Sequence, residues 1–539
     1  MNKSGKSKAS AGTAKAHAAT AKPIHNRQSA ETKFAELKRR LLEINDLAAA
    51  GAVLGWDQST YMPEGGAPAR ARQGATLSRL AHEKSVDPDL GKLLDALAPY
   101  AAGLPYDCDE ASLIRISRRD FEKAIKLPSA YVARASAFAS SSYDAWTRAR
   151  PANDFATMLP FLEQAVDLSR EYAGFFAPYK HVADPLIDAA EEGMTTATIR
   201  SLFAELRCEL IPIVRAISDQ PIPSDDCLRG SFSEQKQLDF SLSVVKQFGY
   251  DTRRGRLDKT HHPFCTKFSL GDVRITTRVD EKHFGDALFS TMHEAGHALY
   301  EQGVAASLEG TPLGTGTSAG VHESQSRLWE NVAGRGRPFW EHYYPVLRDR
   351  FPDHFRRTGF ETFYRAINKV ERSLIRTDAD EVTYNLHIMM RFDLELELLE
   401  GKLRVKDLPE AWRARMQADL GVAPGDDRDG CLQDVHWYGG TVGGGFQSYT
   451  IGNILSAQFY AAAVKAHPDI PLEIAKGEFT SLHGWLREHL YRHGRKLQPD
   501  ELVVRAAGGP MSTAPYLNYL RAKYGELYRL HLAPLPEHL

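Results

Sequence analysis

The chain of 539 residues is 43% apolar and 25% charged, an ordinary globular composition long enough to bury a large core. A net charge of −2 gives no general pull toward nucleic acid or an anionic membrane, and no apolar run approaches the ~18 residues of a membrane span. Five scattered cysteines (Cys108, Cys208, Cys227, Cys265 and Cys431) form no Cys-x-x-Cys pair, which argues against a disulfide framework and a thiolate zinc site and suits a reducing, cytoplasmic compartment.

Residues 1–30 contain no acid and little apolar surface, so they are expected to form a disordered basic extension. Lys outnumbers Arg there, which argues against an organelle transit peptide. Residues 31–539 then form one catalytic body. Leu37, Leu41, Leu42, Ile44, Leu47 and Val53 supply the apolar positions of a first long helix ahead of a Gly55-Trp56-Asp57 loop. Helical patterns recur through 68–83, 110–148, 154–177, 195–218 and 233–248, with Pro or Gly between several of them. The clearest strand is Val273–Val279, where β-branched and polar residues alternate. As an edge strand it would bind extended peptide by main-chain hydrogen bonds; as half of a small hairpin it would only cover the next helix.

That helix carries His293-Glu294-Ala295-Gly296-His297. Two histidines four apart stack on one helical face and can share one metal ion, with Glu294 beside it to take a proton from water. Phe284, Leu288, Met292, Ala295 and Leu299 form an adjacent apolar face that buries the helix. The bland alternative is a pair of structural histidines. A catalytic zinc takes three protein ligands and leaves a position for water. Tyr300 and Gly303 stand where a longer motif would continue toward a third His, so an acidic third ligand is expected. A second helical segment, Gly320–Asn331, follows a Gly- and Thr-rich loop and offers His322, Glu323 and Glu330; Glu301 and Glu309 are poorer placed. Glu323 has a structural alternative, an i,i+4 pair with Arg327. On these residues alone, Glu323 and Glu330 stand equal.

Further on, a helical stretch over 359–400 is expected to bend near Thr377-Asp378, and a glycine-rich loop at 439–445 precedes a helix over 449–465. The glycines lack a following Lys-Ser/Thr and do not form a phosphate loop. His436 and Tyr449, on either side of that loop, are candidate donors to the oxyanion of a tetrahedral intermediate. The alternative for His436 is a packed pair with Trp437.

Several spaced motifs together resemble those of the Taq-type, or thermostable, metallocarboxypeptidases. They are Gly55–Gly65, His262-Pro263-Phe264, Asp272–Thr276, His293–His297, His322–Gln325, Ile375–Asp380 and Gly430–Trp437, and the likeness spans roughly residues 30–535. The chain departs from the family's Gly-Tyr-Phe-Pro-like turn with Gly444-Gly445-Phe446-Gln447. The resemblance implies Glu323 as third ligand, Glu294 as general base, and one zinc per chain, with cobalt as an alternative. It implies a mainly α fold, a helical ellipsoid with a deep cleft and a small antiparallel sheet, paired as a homodimer. It also implies release of single C-terminal residues from peptides with broad specificity, and it tips the 273–279 strand toward substrate binding. A carboxypeptidase must grip a free carboxylate, which Arg does with two parallel hydrogen bonds. Arg376 is the first choice and Arg274 the second. Their structural alternatives are ion pairs with Glu371, Asp378 or Asp380 for Arg376, and with Asp272 or Asp280 for Arg274. A thimet-like oligopeptidase would share the metal chemistry without the carboxylate clamp. A non-catalytic relative would be expected to lack Glu294 or a ligand.

Overall fold

The structure, a computed structural model, describes Met1 and residues 18–536, with side chains of the latter from Ser29 onward. The first half is helical: α1 (Ala18–Thr60), α2 (Ala67–Ser85), α3 (Pro88–Ala102), α4 (Asp109–Ala124), α5 (Ser129–Ala152), α6 (Phe155–Gly174), α7 (Asp184–Ala190), α8 (Thr196–Ser218) and α9 (Glu234–Phe248). Side-chain caps start several of them: Asp87 accepts from the Asp89 N–H at α3, and Thr195 and Ser233 do the same at α8 and α9.

Two local expectations change here. Gly55-Trp56-Asp57 is not a loop but the last turns of α1, because Trp56 is buried and its packing overrides the poor helix propensity of Gly55. The expected helix over 110–148 is two helices, broken before Pro128, which disfavours helical geometry in the residue ahead of it and stands at the N-cap of α5. α1 begins at Ala18, inside the stretch expected as a basic extension over 1–30; residues 2–17 lie outside the described residues.

A sheet follows, built from β1 (Leu257–Lys259), β2 (Cys265–Ser269) and β3 (Asp272–Thr277) in the order β1-β3-β2. β2 pairs antiparallel with β3, placing Cys265 opposite Ile275, but β1 pairs parallel, placing Leu257 opposite the same residue. The sheet is therefore mixed. β3 is its central strand, not an edge, so the Val273–Thr277 part of the segment expected to receive peptide already lies between two strands. The cause is β1, whose three residues are too short to show an alternating pattern. Val273 and Ile275 are fully buried on one face of β3, while Arg274 projects from the other.

The second half comprises α10 (Asp286–Gly303), α11 (Ala319–Arg327), α12 (Arg337–Arg350), α13 (Pro352–Phe355), α14 (Phe360–Ile367), α15 (Tyr384–Glu400), α16 (Leu408–Leu420), α17 (Gln447–Ala466), α18 (Ile470–Ile474), α19 (Thr480–His489), α20 (Pro499–Ala507) and α21 (Ala514–Tyr528). The stretch expected to be a bent helix over 359–400 is instead open between α14 and α15. There the Asp380 carboxylate takes the N–H groups of Glu371, Val382 and Thr383, replacing helical partners with a side chain. One large core joins α5 to α21 with the sheet, and α10 runs through it between the sheet, α9 and α11. A smaller core packs leucines of α1 and α3 and Leu113 of α4 against Leu270, Leu308 and Leu313.

Candidate metal centre and substrate anchor

α10 brings His293 and His297 to one face, their ring centroids 5.1 Å apart. α11 faces them because α10 carries Gly296 at the crossing: a Cβ there would lie 2.5 Å from the Gln325 carbonyl oxygen. From behind, α17 presses on Glu323 at Gly452, where a Cβ would lie 2.5 Å from Glu323 Cγ. The Glu323 carboxylate is thereby driven toward the imidazoles. Its Oε2 is 3.7 Å from His293 Nε2 and 3.4 Å from His297 Nε2. All three ligand atoms lie within 4.8 Å of one another. A tetrahedral ion with bonds of about 2.1 Å spaces its ligands roughly 3.4 Å apart, so two imidazoles and a carboxylate fit a divalent metal here.

Each ligand's remaining atom is held. His293 Nδ1 meets Glu330 Oε2 at 2.9 Å, and His297 Nδ1 meets His322 Nδ1 at 2.6 Å. His322 Nε2 continues to Glu301 Oε1 at 2.8 Å, and Lys267 Nζ donates to Glu301 Oε2 at 2.7 Å. Glu323 Oε1 accepts from Arg327 Nε at 2.7 Å, so the expected i,i+4 pair exists, and Oε2, which accepts from the Ser326 hydroxyl at 3.1 Å, faces the imidazoles. Glu330 and His322 thus sit behind the histidines, orienting them. A π-helical turn at Leu328–Ala333 carries Glu330. Glu301 serves His322, and Glu309 accepts from the Leu270 N–H, both away from the ligand atoms.

Burial raises the Glu294 carboxyl to about 7, with Glu323 and Glu330 adding to the rise and His293 opposing it. Glu294 makes no hydrogen bond among the described residues. Burial also pushes the Glu323 carboxyl up, but Arg327 and His293 outweigh it and hold the group well below the usual carboxylate range. Cys265 on β2 lies near Glu294; burial and the charges of Glu294 and Glu301 keep its thiol protonated, as a small structural thiol.

The second cluster centres on Asp434. Arg376 donates to it from Nε and Nη2, the latter at 2.7 Å, and from Nη1 to the Tyr384 hydroxyl at 2.9 Å. Its partner is thus not Glu371, Asp378 or Asp380. Arg391, fully buried, donates to the same carboxylate at 2.6 Å. Gln433 accepts from the Arg376 N–H and from Arg391 Nη2, tying both arginines to one loop. His436 Nδ1 lies 3.4 Å from Asp434, and its Nε2 meets the Tyr449 hydroxyl at 3.1 Å. Burial lowers the His262 imidazole, and the charges of Arg376, His436, Arg278 and His293 add to the fall, so this His-Pro-Phe residue is within electrostatic reach of both clusters. No role was read for His262 or Tyr384 in the sequence; His262 carried the signal of its motif, Tyr384 none. Arg274 lies apart from this cluster. Asp272 takes its Nε and Nη2 at 2.8 Å each, and the rings of Trp56 and Phe268 stack on it at 4.3 and 4.8 Å. These contacts strap α1 to the sheet, and the Asp272 pair is the ion-pair alternative expected for Arg274.

A His-Glu-x-x-His helix with an acidic third group, set in a mainly helical body, defines a metallopeptidase. The family model for carboxypeptidase Taq (M32) metallopeptidases matches residues 36–524. Thermostable carboxypeptidase 1 of Thermus thermophilus is 41% identical over 492 residues, 89% of this chain and 96% of that protein. Carboxypeptidase 1 of Bacillus subtilis is 35% identical, over 93% of this chain and 99% of that protein. The crystal structure of the M32 carboxypeptidase from Deinococcus radiodurans R1 matches with a TM-score of 0.90 at 51% identity, covering 92% of this chain and 100% of that one. The chain belongs to the Taq-type (M32) metallocarboxypeptidase family. It is a metal-dependent carboxypeptidase, as its motifs implied.

Proposed function

We propose that His293, His297 and Glu323 hold one metal ion per chain, zinc with cobalt as the alternative, and that Glu294 is the general base in release of single C-terminal residues from peptides of broad sequence. The observation that carries this is the convergence of the three ligand atoms beside a buried carboxylate with no hydrogen-bond partner of its own. Two imidazoles and a carboxylate suit zinc. When bound, the cation supplies Lewis-acid activation of the attacking water and the scissile carbonyl. Glu294 takes the water's proton and passes it to the leaving amine. With His436 Nε2–H donating to Tyr449, the phenol proton is left for the carbonyl oxygen.

Arg376 grips the terminal carboxylate. Guanidinium has five N–H hydrogens; Asp434 takes two and Tyr384 one, which leaves two for substrate. Arg376 and Arg391 carry two positive charges against one on Asp434, and a substrate carboxylate offsets the buried excess. We also propose a cytoplasmic homodimer. Five free cysteines fit the compartment, and the pairing rests on the family likeness. No helix among the described residues is long and apolar enough to cross a membrane.

Glu294→Gln tests the mechanism. The variant is expected to keep its metal, measured by elemental analysis, and to lose at least ~10²-fold in kcat. Near-normal kcat with metal present would remove Glu294 from the role.

A further inference from the structure

The metal group and the Arg376 cluster meet at one side chain. Tyr384, 5% exposed at the start of α15, accepts from Arg376 Nη1 through its hydroxyl at 2.9 Å. The Arg327 guanidinium sits over the same ring, 4.6 Å from its centroid. Arg327 in turn holds Oε1 of Glu323. We propose that Tyr384 is a positioning residue that sets the distance between the metal-binding carboxylate and the substrate-carboxylate anchor, and so fixes release at one residue per cleavage. The proposal rests on the assignment of Arg376 above.

A spacer must itself be immobile, and the chain on either side of Tyr384 is pinned. Asp380 accepts from the Val382 and Thr383 N–H groups and from the Thr383 hydroxyl at 2.7 Å. Glu381 is held by Tyr519 at 2.9 Å, by Tyr524 at 2.7 Å and by Lys523, all from α21, and Tyr516 donates to its carbonyl at 2.9 Å. Ring and hydroxyl therefore do separate jobs on a rigid base: the ring is a shelf for Arg327, and the hydroxyl a stop for Arg376.

Two variants separate the jobs. Tyr384→Phe keeps the shelf and removes the stop; Tyr384→Leu removes both. Both are compared with wild type and Arg376→Ala, as holoenzymes, on one N-acetylated peptide in free-acid and amide forms, with zinc affinity measured by chelator competition. Tyr384→Phe is expected to keep zinc affinity within about twofold and to raise KM for the free acid about tenfold with kcat largely retained, shrinking the acid-over-amide preference. Tyr384→Leu is expected to weaken zinc binding about tenfold or more as well, as loss of outer support for a ligand does. Equal losses on acid and amide in Tyr384→Phe, or unchanged zinc affinity and preference in Tyr384→Leu, would overturn the proposal. If Arg376→Ala loses the preference and Tyr384→Phe keeps it, Tyr384 fails alone. If Arg376→Ala keeps it, the anchor assignment fails and the spacer falls with it.

Discussion

Glu323 and Glu330 both reach His293, one at each nitrogen. The Nε2 side faces the other ligands, whereas the Nδ1 side is closed by Glu330, which fixes the ring's tautomer and tilt. The two acids should therefore fail differently. Glu323→Ala is expected to lose bound metal, because the proposed carboxylate ligand is gone and Arg327, left with Glu330 alone, loses its closer carboxylate partner. Glu330→Gln is expected to keep a stoichiometry near one with affinity about 10–100-fold weaker, measured by titration of the metal-free protein. Full occupancy in Glu323→Ala would hand the ligand role to another acid. The sequence left these acids equal for a geometric reason. They are seven apart, nearly two full turns, and a helical reading puts them on one face. Only the approach of α11 and the π-helical turn after it separates their roles. Arg376 shows the same limit: its acids near in sequence were visible, but Asp434, 58 positions on, was not.

At the scale of elements, the site depends on how closely α11 is held between α10 and α17. Gly296 and Gly452 permit that approach and were read only as motif spacers or not at all, since close packing leaves no mark on hydrophobic periodicity. Glu191, just after α7, adds a polar clamp: it is fully buried and accepts from the Gly320 N–H in the first turn of α11. Burial raises its carboxyl to about 7 from 4.5, against the pull of Ser448, Ser318 and the Gly320 N–H. The folded state thus binds this proton more tightly than the unfolded chain. Its contribution to stability is full below about pH 4.5 and is lost as pH rises through about 7, a change on the order of 3 kcal/mol. Gln keeps an acceptor for Gly320 and has no charge to desolvate. Glu191→Gln is therefore expected to melt above wild type near pH 8 and to flatten the fall in Tm between about pH 5 and 8. An unchanged slope would place that titration elsewhere.

Over the whole molecule, the sheet, α10, α11 and the Asp434 loop enclose one site assembled from segments nearly 200 residues apart, from His262 to Tyr449. The helical body was legible because long amphipathic helices write their burial into sequence, and the metal helix was legible because its chemistry is local. The mixed sheet was not, because strand order depends on a partner, β1, of three residues. The same reasoning limits what local motifs say about substrate: the proposed clamp on a free carboxylate would be a property of the assembled cluster. Its most direct measurement is mass spectrometry of timed digests of one peptide in free-acid, amide and N-acetylated forms, with wild type and Arg376→Ala. The account predicts ladders of single-residue loss from the free acid, unaffected by acetylation and slowed roughly 10²-fold by amidation, with most of that difference gone in Arg376→Ala. Internal fragments arising equally from acid and amide would contradict it and favour an oligopeptidase.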